Sequence, residues 1–235
     1  MRTEERNFRW EQLAPEVFRC RLPFCDVTVG VVHGGGEVLL VDTGTTLPEA
    51  RAIAADVVGL TGHRVSRVLL THNHFDHVLG HSVFTGVRTY CSPEVVATMV
   101  GQGRHLGADA IRHGADADEV GRAVAALTPP MDSTASARFS LGEVQVTISH
   151  PGRGHTGHDL IAVVTGAEYT VVFCGDLVEE SGDPSIDDQS DLAAWPATLG
   201  RVLAAGGDSA TYVPGHGAVV DAEFVRRQAE WLGRR

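Results

Sequence analysis

Apolar positions fall into short β-branched runs over the first third of the chain, take a helical period in the middle, and return to β-runs beyond it. The pattern predicts strands near 17–23, 27–33 and 37–42, a helix near 47–59, a strand near 65–70 and a short strand near 87–91. Pro93 to Gly103 and Asp116 to Leu127 read as amphipathic helices. The Gly- and Ala-rich stretch between them, with His105 and His113, reads as a helical insertion or a mobile cover over roughly 93–130. After Pro129-Pro130 strands are expected at Ala137 to Leu141, Val144 to Ser149, Leu160 to Thr165 and Tyr169 to Phe173. Helices near 190–205 and 221–233 then enclose a last strand, Ala210 to Val213. The order implies two similar αβ halves packed sheet to sheet with helices outside. No linker divides residues 1–235, so one domain is expected.

The run Thr71-His72-Asn73-His74-Phe75-Asp76-His77 sets four metal-ligand side chains directly behind the apolar stretch Val65 to Leu70. Imidazole and carboxylate suit zinc and other borderline divalent ions, and alternating residues at a strand end point the same way, so His72 and His74 can share one ion. Asp76 and His77 lie where the chain turns toward a helix near Val78, and a second ion explains their presence. The plain alternative is a solvated His-rich turn. Three more ligand-type residues sit beside glycines at the ends of β-runs: Gly154-His155-Thr156, Gly175-Asp176-Leu177 and Pro214-Gly215-His216-Gly217. Glycine allows the tight turns and close backbone approach that loops converging on an ion require. Five His and two Asp are enough for two metals.

With these residues the chain resembles the metallo-β-lactamase-fold hydrolases over nearly its whole length. The family's His-x-His-x-Asp-His motif falls on His72, His74, Asp76 and His77, its later histidines on His155 and His216, and its bridging aspartate on Asp176. The resemblance implies an α/β fold, a four-layer αββα sandwich. It also implies a ligand set: His72, His74 and His155 for the first ion, Asp76, His77 and His216 for the second, and Asp176 between them. Val41-Asp42-Thr43-Gly44 matches an early Asp-x-Gly element, so Asp42 is expected to orient a ligand histidine, ligand imidazoles usually donating their other N–H to a carboxylate or carbonyl. Zinc is the first expectation for the two ions, with iron and manganese open.

Composition narrows the partners. At 43% hydrophobic residues the chain is globular, and no apolar run approaches the roughly 20 residues that span a bilayer. The charged start, Met1 to Arg6, lacks the apolar stretch of a secretory signal, and four cysteines without Cys-x-x-Cys spacing suit reduced thiols; the expectation is a cytoplasmic protein. Cys174, two positions before Asp176, is expected on the same strand face, read mainly as a buried core thiol. With 19 basic residues against 30 acidic and a net charge of −11, nucleic acid is a poor substrate and a small molecule the better one. The acidic run Asp183 to Asp191 follows Asp176 closely enough to border the pocket.

Two ions can share a water and lower its pKa to give a bridging hydroxide nucleophile, with Asp76 beside it to take up a proton and no Ser or Cys nucleophile required. A bridging carboxylate at Asp176 resembles the thioesterase and lactonase branches more than the β-lactamases, so a small ester, thioester or lactone is the expected substrate. Only Gly217 to Arg235 follow the last ligand, which counts against the larger glyoxalase II forms with their C-terminal substrate domain. A mononuclear iron oxygenase of the persulfide dioxygenase type, β-lactam hydrolysis and a non-catalytic metal-stabilised binding protein are the alternatives. Arg153, His158, His81 and Tyr212 could approach the pocket, each with an ordinary surface or core role as the competing reading.

Overall fold

A computed structural model describes residues 6–235 of the protein. Met1 to Glu5, most of the charged start, lie outside the described residues. The first sheet takes its strands in sequence order: β1 (Trp10–Ala14), β2 (Val17–Arg21), β3 (Thr28–Gly34), β4 (Glu37–Val41), β5 (Arg67–Leu69), β6 (Arg88–Tyr90) and β7 (Ser133–Thr134). β1 to β4 are antiparallel, and β4 to β7 parallel. The β3–β4 turn is as tight as it is because Gly35 and Gly36 take φ of 59° and 82°, the left-handed pair that matches strand twist. The second sheet holds β8 (Ala137–Leu141), β9 (Val144–Ser149), β10 (Ile161–Thr165), β11 (Thr170–Glu179) and β12 (Thr211–His216) in the order β12-β11-β10-β9-β8. It is antiparallel except for the parallel pair β11–β12.

Helices close both outer faces. α1 (Leu47–Thr61) is started by Thr46, whose hydroxyl accepts the Glu49 N–H, and stopped by Gly62 at φ 74°. The single turn α2 (Phe75–Val78) runs into a 3-10 segment, Leu79–Phe84. α3 (Pro93–Gly101), α4 (Gly103–Arg112) and α5 (Ala117–Ala126) follow, and α6 (Trp195–Gly206) and α7 (Ala222–Leu232) cover the other side. Apolar side chains form three layers of core. Ile53, Val57, Val95, Leu106 and Val120 pack helices on the first sheet. Leu39, Leu69, Ile148, Val171 and Phe173 meet between the sheets. Trp195, Leu199, Val202 and Val225 pack helices on the second sheet. This is a four-layer αββα sandwich of mixed α/β class.

The stretch between the two expected middle helices forms a helix, α4, with Leu106 and Ala110 buried in the core over the first sheet. The structure departs from the sequence expectation at three places that bear on the site. β1 is an edge strand with little apolar signal, tied down by the buried Asp56 carboxylate of α1, which accepts from the N–H groups of Asn7 and Phe8 and from the Trp10 indole. β5 ends at Leu69, so His72 and His74 stand on the loop beyond it and not on strand residues. β11 runs on through Asp176 to Glu179, because Gly175 at φ 52° makes a bulge that lets the strand bend without ending. The bulge also resets side-chain alternation: Cys174 lies in the outer core with α6, not on the face of Asp176 as strict alternation requires. Its thiol donates to the Val172 carbonyl at 3.4 Å. All four cysteines are free, and among the described residues no helix is long and apolar enough to cross a membrane.

Candidate metal centre

In open α/β sheets ligands gather beyond the carboxyl ends of parallel strands, and here the loops after β4 and β5 meet the ends of β11 and β12. Together with the β9–β10 loop, which brings in His155, they carry all seven expected ligand residues. One ligand atom each from His72, His74, His155 and Asp176 lies within 4.8 Å of the others, and Asp76, His77 and His216 form a second such group. Asp176 sits between the two. Its Oδ1 is 3.2 Å from His77 Nε2, and its Oδ2 is 3.6, 3.5 and 3.3 Å from the Nε2 atoms of His72, His155 and His216. Asp76 Oδ2 is 3.4 Å from His216 Nε2 and 3.7 Å from His77 Nε2.

The imidazoles are aimed by groups behind them. The His77 Nδ1–H donates to Asp42 at 2.8 Å, that of His72 to the Thr71 hydroxyl at 3.0 Å, that of His155 to the Ser185 carbonyl at 3.1 Å and that of His216 to the Cys25 carbonyl at 2.7 Å. Each such bond fixes the ring's orientation and turns its Nε2 toward the centre. His74 is reversed. Its Nδ1 faces inward, 3.0 Å from His155 Nε2, and its Nε2 faces Gln189 at 3.3 Å and Asp187 at 3.6 Å. The acidic run after Asp176 therefore borders the site through Asp187. Asp42 is the hub of the rear shell: in a left-handed backbone, φ 61°, its carboxylate also accepts the Thr71 N–H and hydroxyl, each at 2.9 Å.

Whether these residues fit metal ions can be tested on the protein atoms themselves. His72 Nε2, His77 Nε2 and Asp176 Oδ1 are fully buried with no hydrogen-bond partner. Orphans of this kind are rare in folded proteins and cluster where an ion supplies the missing partner. Two atoms each about 2.0–2.1 Å from one ion at a tetrahedral angle stand roughly 3.3 Å apart, close to the separations across this site. The donor set of imidazole and carboxylate suits a borderline divalent cation. The residues fit the group.

Charge is arranged to the same end. Burial alone would raise the Asp176 carboxyl, but His216, His77 and His72 outweigh it and hold the group well below the usual carboxylate range. Burial pushes His72 well down and His155 to about 4, leaving both as neutral lone-pair donors. In His77 and His216 burial is overcome by the carboxylates, Asp176 first, which raise His216 to about 10. The second group thus draws positive charge even in the bare protein.

Other polar residues near the motifs fall away from the centre. His81 is buried and bonded at both nitrogens, to the Thr128 carbonyl and the Thr89 hydroxyl, each at 3.1 Å. The Tyr212 hydroxyl donates to the Gly207 carbonyl at 2.8 Å, and exposed Arg153 pairs with Asp191 at 3.3 Å. Of the middle helices, α3 touches the metal loop, where the Thr98 hydroxyl accepts from Asn73 at 3.0 Å. Thr71, Gln189 and the carbonyls of Ser185 and Cys25 were not singled out in the sequence. Only Thr71, directly ahead of the His-rich run, carried a local signal.

The profile of the metallo-beta-lactamase superfamily matches residues 22–216. An alignment with the lactamase-like protein notP of Aspergillus sp. (strain MF297-2) is 35% identical over 79 residues, 30% of this chain and 25% of that protein's length. Among solved structures, the metallo-beta-lactamase from Pontibacter korlensis superposes with a TM-score of 0.73 at 18% identity, covering 97% of this chain and 100% of that one. The metallo-beta-lactamase of Erythrobacter litoralis, solved with beta mercaptoethanol in the active site, gives 0.70 at 19% identity over 96% of each chain. TMB-1 gives 0.70 at 18% identity over 97% of each. These structures share the sandwich, and the profile spans all seven residues gathered at its edge: the chain belongs to the metallo-β-lactamase superfamily.

Proposed function

We propose that His72, His74 and His155 hold one divalent ion, Asp76, His77 and His216 a second, and Asp176 both, and that the protein hydrolyses a small ester, thioester or lactone. The observation that carries this reading is the position of Asp176, whose Oδ1 faces His77 of the second group and whose Oδ2 faces His72 and His155 of the first as well as His216 of the second. Two ions held there, zinc by first expectation, would supply Lewis acidity and a water of pKa lowered from about 15.7 toward about 7. The chain's own residues do the rest. The Asp76 carboxylate, at the border of the second group, accepts the proton the nucleophile gives up. Asp42 keeps the His77 ring in one orientation. Full burial of His72, His77 and His155 shields the centre from bulk water on one side, while His74 and His216, with 18% and 12% of their side chains exposed, form the open edge where substrate enters. β-Lactam hydrolysis is the second reading, supported by the solved structures of the fold that carry the name metallo-β-lactamase.

Reconstituted with zinc or manganese, the protein is expected to bind two ions per chain, and chelation to abolish hydrolysis of a panel of chromogenic esters, thioesters and lactones. Elemental analysis finding one tightly held ion, with no second step on titration, would overturn the dinuclear assignment. A single iron with oxygen consumption would mark the protein as an oxygenase instead. Asp42→Ala is expected to lower second-ion affinity or kcat/KM by about 10–100-fold, the usual loss when the group behind a ligand is removed. Unchanged activity and metal content in that variant would mean that His77 does not depend on Asp42.

A further inference from the structure

Two buried polar atoms beside the first group of ligands have no protein partner and belong to no ligand set: Oδ1 of Asn73 and Nε2 of His158. The residues are 7% and 8% exposed. Buried polar atoms are almost always hydrogen-bonded, so an orphan beside an active centre is a place where a ligand completes the pairing. The Asn73 amide is fixed from behind. Its Nδ2 donates to the Thr98 hydroxyl on α3 at 3.0 Å and to Gln189 Oε1 at 3.2 Å, which turns the carbonyl oxygen away from both. His158 stands three residues after His155 on the β9–β10 loop, as Asn73 stands between His72 and His74 on the loop after β5. Both orphans thus lie on the two loops that carry the histidines of the first group. Burial keeps the His158 imidazole neutral, pushed down to about 4.

Resting on the hydrolase reading above, we infer that Asn73 and His158 recognise the acyl part of the substrate, and that this part is uncharged and carries a hydroxyl or amide N–H near the scissile carbonyl. Asn73 Oδ1 can only accept, so it requires a donor from the ligand. Neutral His158 supplies either role at Nε2 and completes the pair. An anionic acyl group brings only acceptors to the Asn73 oxygen, and is disfavoured there. A site built to pair a substrate N–H or O–H discriminates strongly against the analogue lacking it, because its own polar atoms are otherwise left unpaired.

The test compares the 4-nitrophenyl esters of N-acetylglycine and pentanoic acid, which match in length, together with the uncleaved ligands N-acetylglycinamide and pentanamide in a direct binding measurement by NMR titration. The metal-loaded protein is expected to favour the N-acetylglycyl compounds by at least about tenfold in kcat/KM and in Kd. Asn73→Ala and His158→Phe are each expected to bring the ratio near unity, through KM, with metal content unchanged. His158→Phe keeps the ring volume and leaves the Thr98–Asn73–Gln189 bonds in place, so it decides the matter if Asn73→Ala fails to fold. Equal binding of the two amides by the unmodified protein, or a preference that survives both substitutions, overturns the inference. Selective amide binding lost in the variants, with neither ester cleaved, leaves recognition by Asn73 and His158 standing and overturns the ester-hydrolase reading instead.

Discussion

Asp176→Ala is expected to lower kcat/KM by more than about 100-fold, beyond the upper end of losses seen for groups that act only through a ligand, and to lose the second ion before the first. The reason is geometric. Asp176 is the one residue whose oxygens lie within 3.6 Å of four imidazoles drawn from both groups. Asp42 contacts one ligand imidazole, His77, at 2.8 Å, and reaches His72 only through Thr71. Removing Asp176 also takes away the negative charge that favours a cation beside His77 and His216, the same charge that raises both imidazoles. Asp176→Asn, which keeps the volume and drops the charge, is expected to lose nearly as much. Metal content by elemental analysis and kcat/KM on the best ester of the panel check this. Equal, small losses in the Asp176 and Asp42 variants would mean that Asp176 does not join the two groups.

Residues that lie close in sequence made the first part of this centre readable from the chain alone. His72, His74, Asp76 and His77 fall within six consecutive positions, and Asp42 follows a short apolar run that reads as a strand. His155, Asp176 and His216 were visible because each abuts a glycine, although the physical use of the glycines differs. Gly175 makes a bulge within a continuing strand, and Gly215 lets the neighbouring strand approach Asp176. The groups that aim the imidazoles were not readable. The carbonyls of Ser185 and Cys25 carry no side-chain signal, and they reach His155 and His216 across 30 and 191 positions of sequence. Gln189 and Asn73 are ordinary polar residues until the loop after β11 is folded over His74. The middle helices were partly readable: α3 and α5 read as helices, whereas the stretch of α4 stayed open because glycine and alanine take part in its close packing, a β-carbon at Gly107 standing 2.9 Å from Val124.

Gly215→Ala is expected to cost activity although it removes no functional group. A β-carbon at Gly215 would lie 1.8 Å from Asp176 Oδ1 and 2.9 Å from the Gly175 carbonyl carbon, closer than any real contact. Either the carboxylate swings out of the centre or β11 and β12 move apart at the bulge where Gly175 faces Pro214. Overpacking of this kind costs about 1–3 kcal/mol, and if the carboxylate yields, the whole of it appears at the site as roughly a 5- to 150-fold loss of second-ion affinity or kcat/KM. If the strands yield instead, the loss appears as a lower Tm with the metal step preserved. Asp176 is the softer partner, since a side-chain rotation disturbs fewer contacts than separating two strands of the second sheet, so the site is expected to bear most of the cost. Gly200→Ala serves as the reference, because that glycine lies in α6 with open space where the methyl would sit and should be neutral or slightly stabilising. Metal titration, kcat/KM and thermal melts on the two variants separate the outcomes. A Gly215→Ala protein with unchanged metal affinity, activity and Tm would show that the close approach of β12 to Asp176 plays no part in holding the carboxylate.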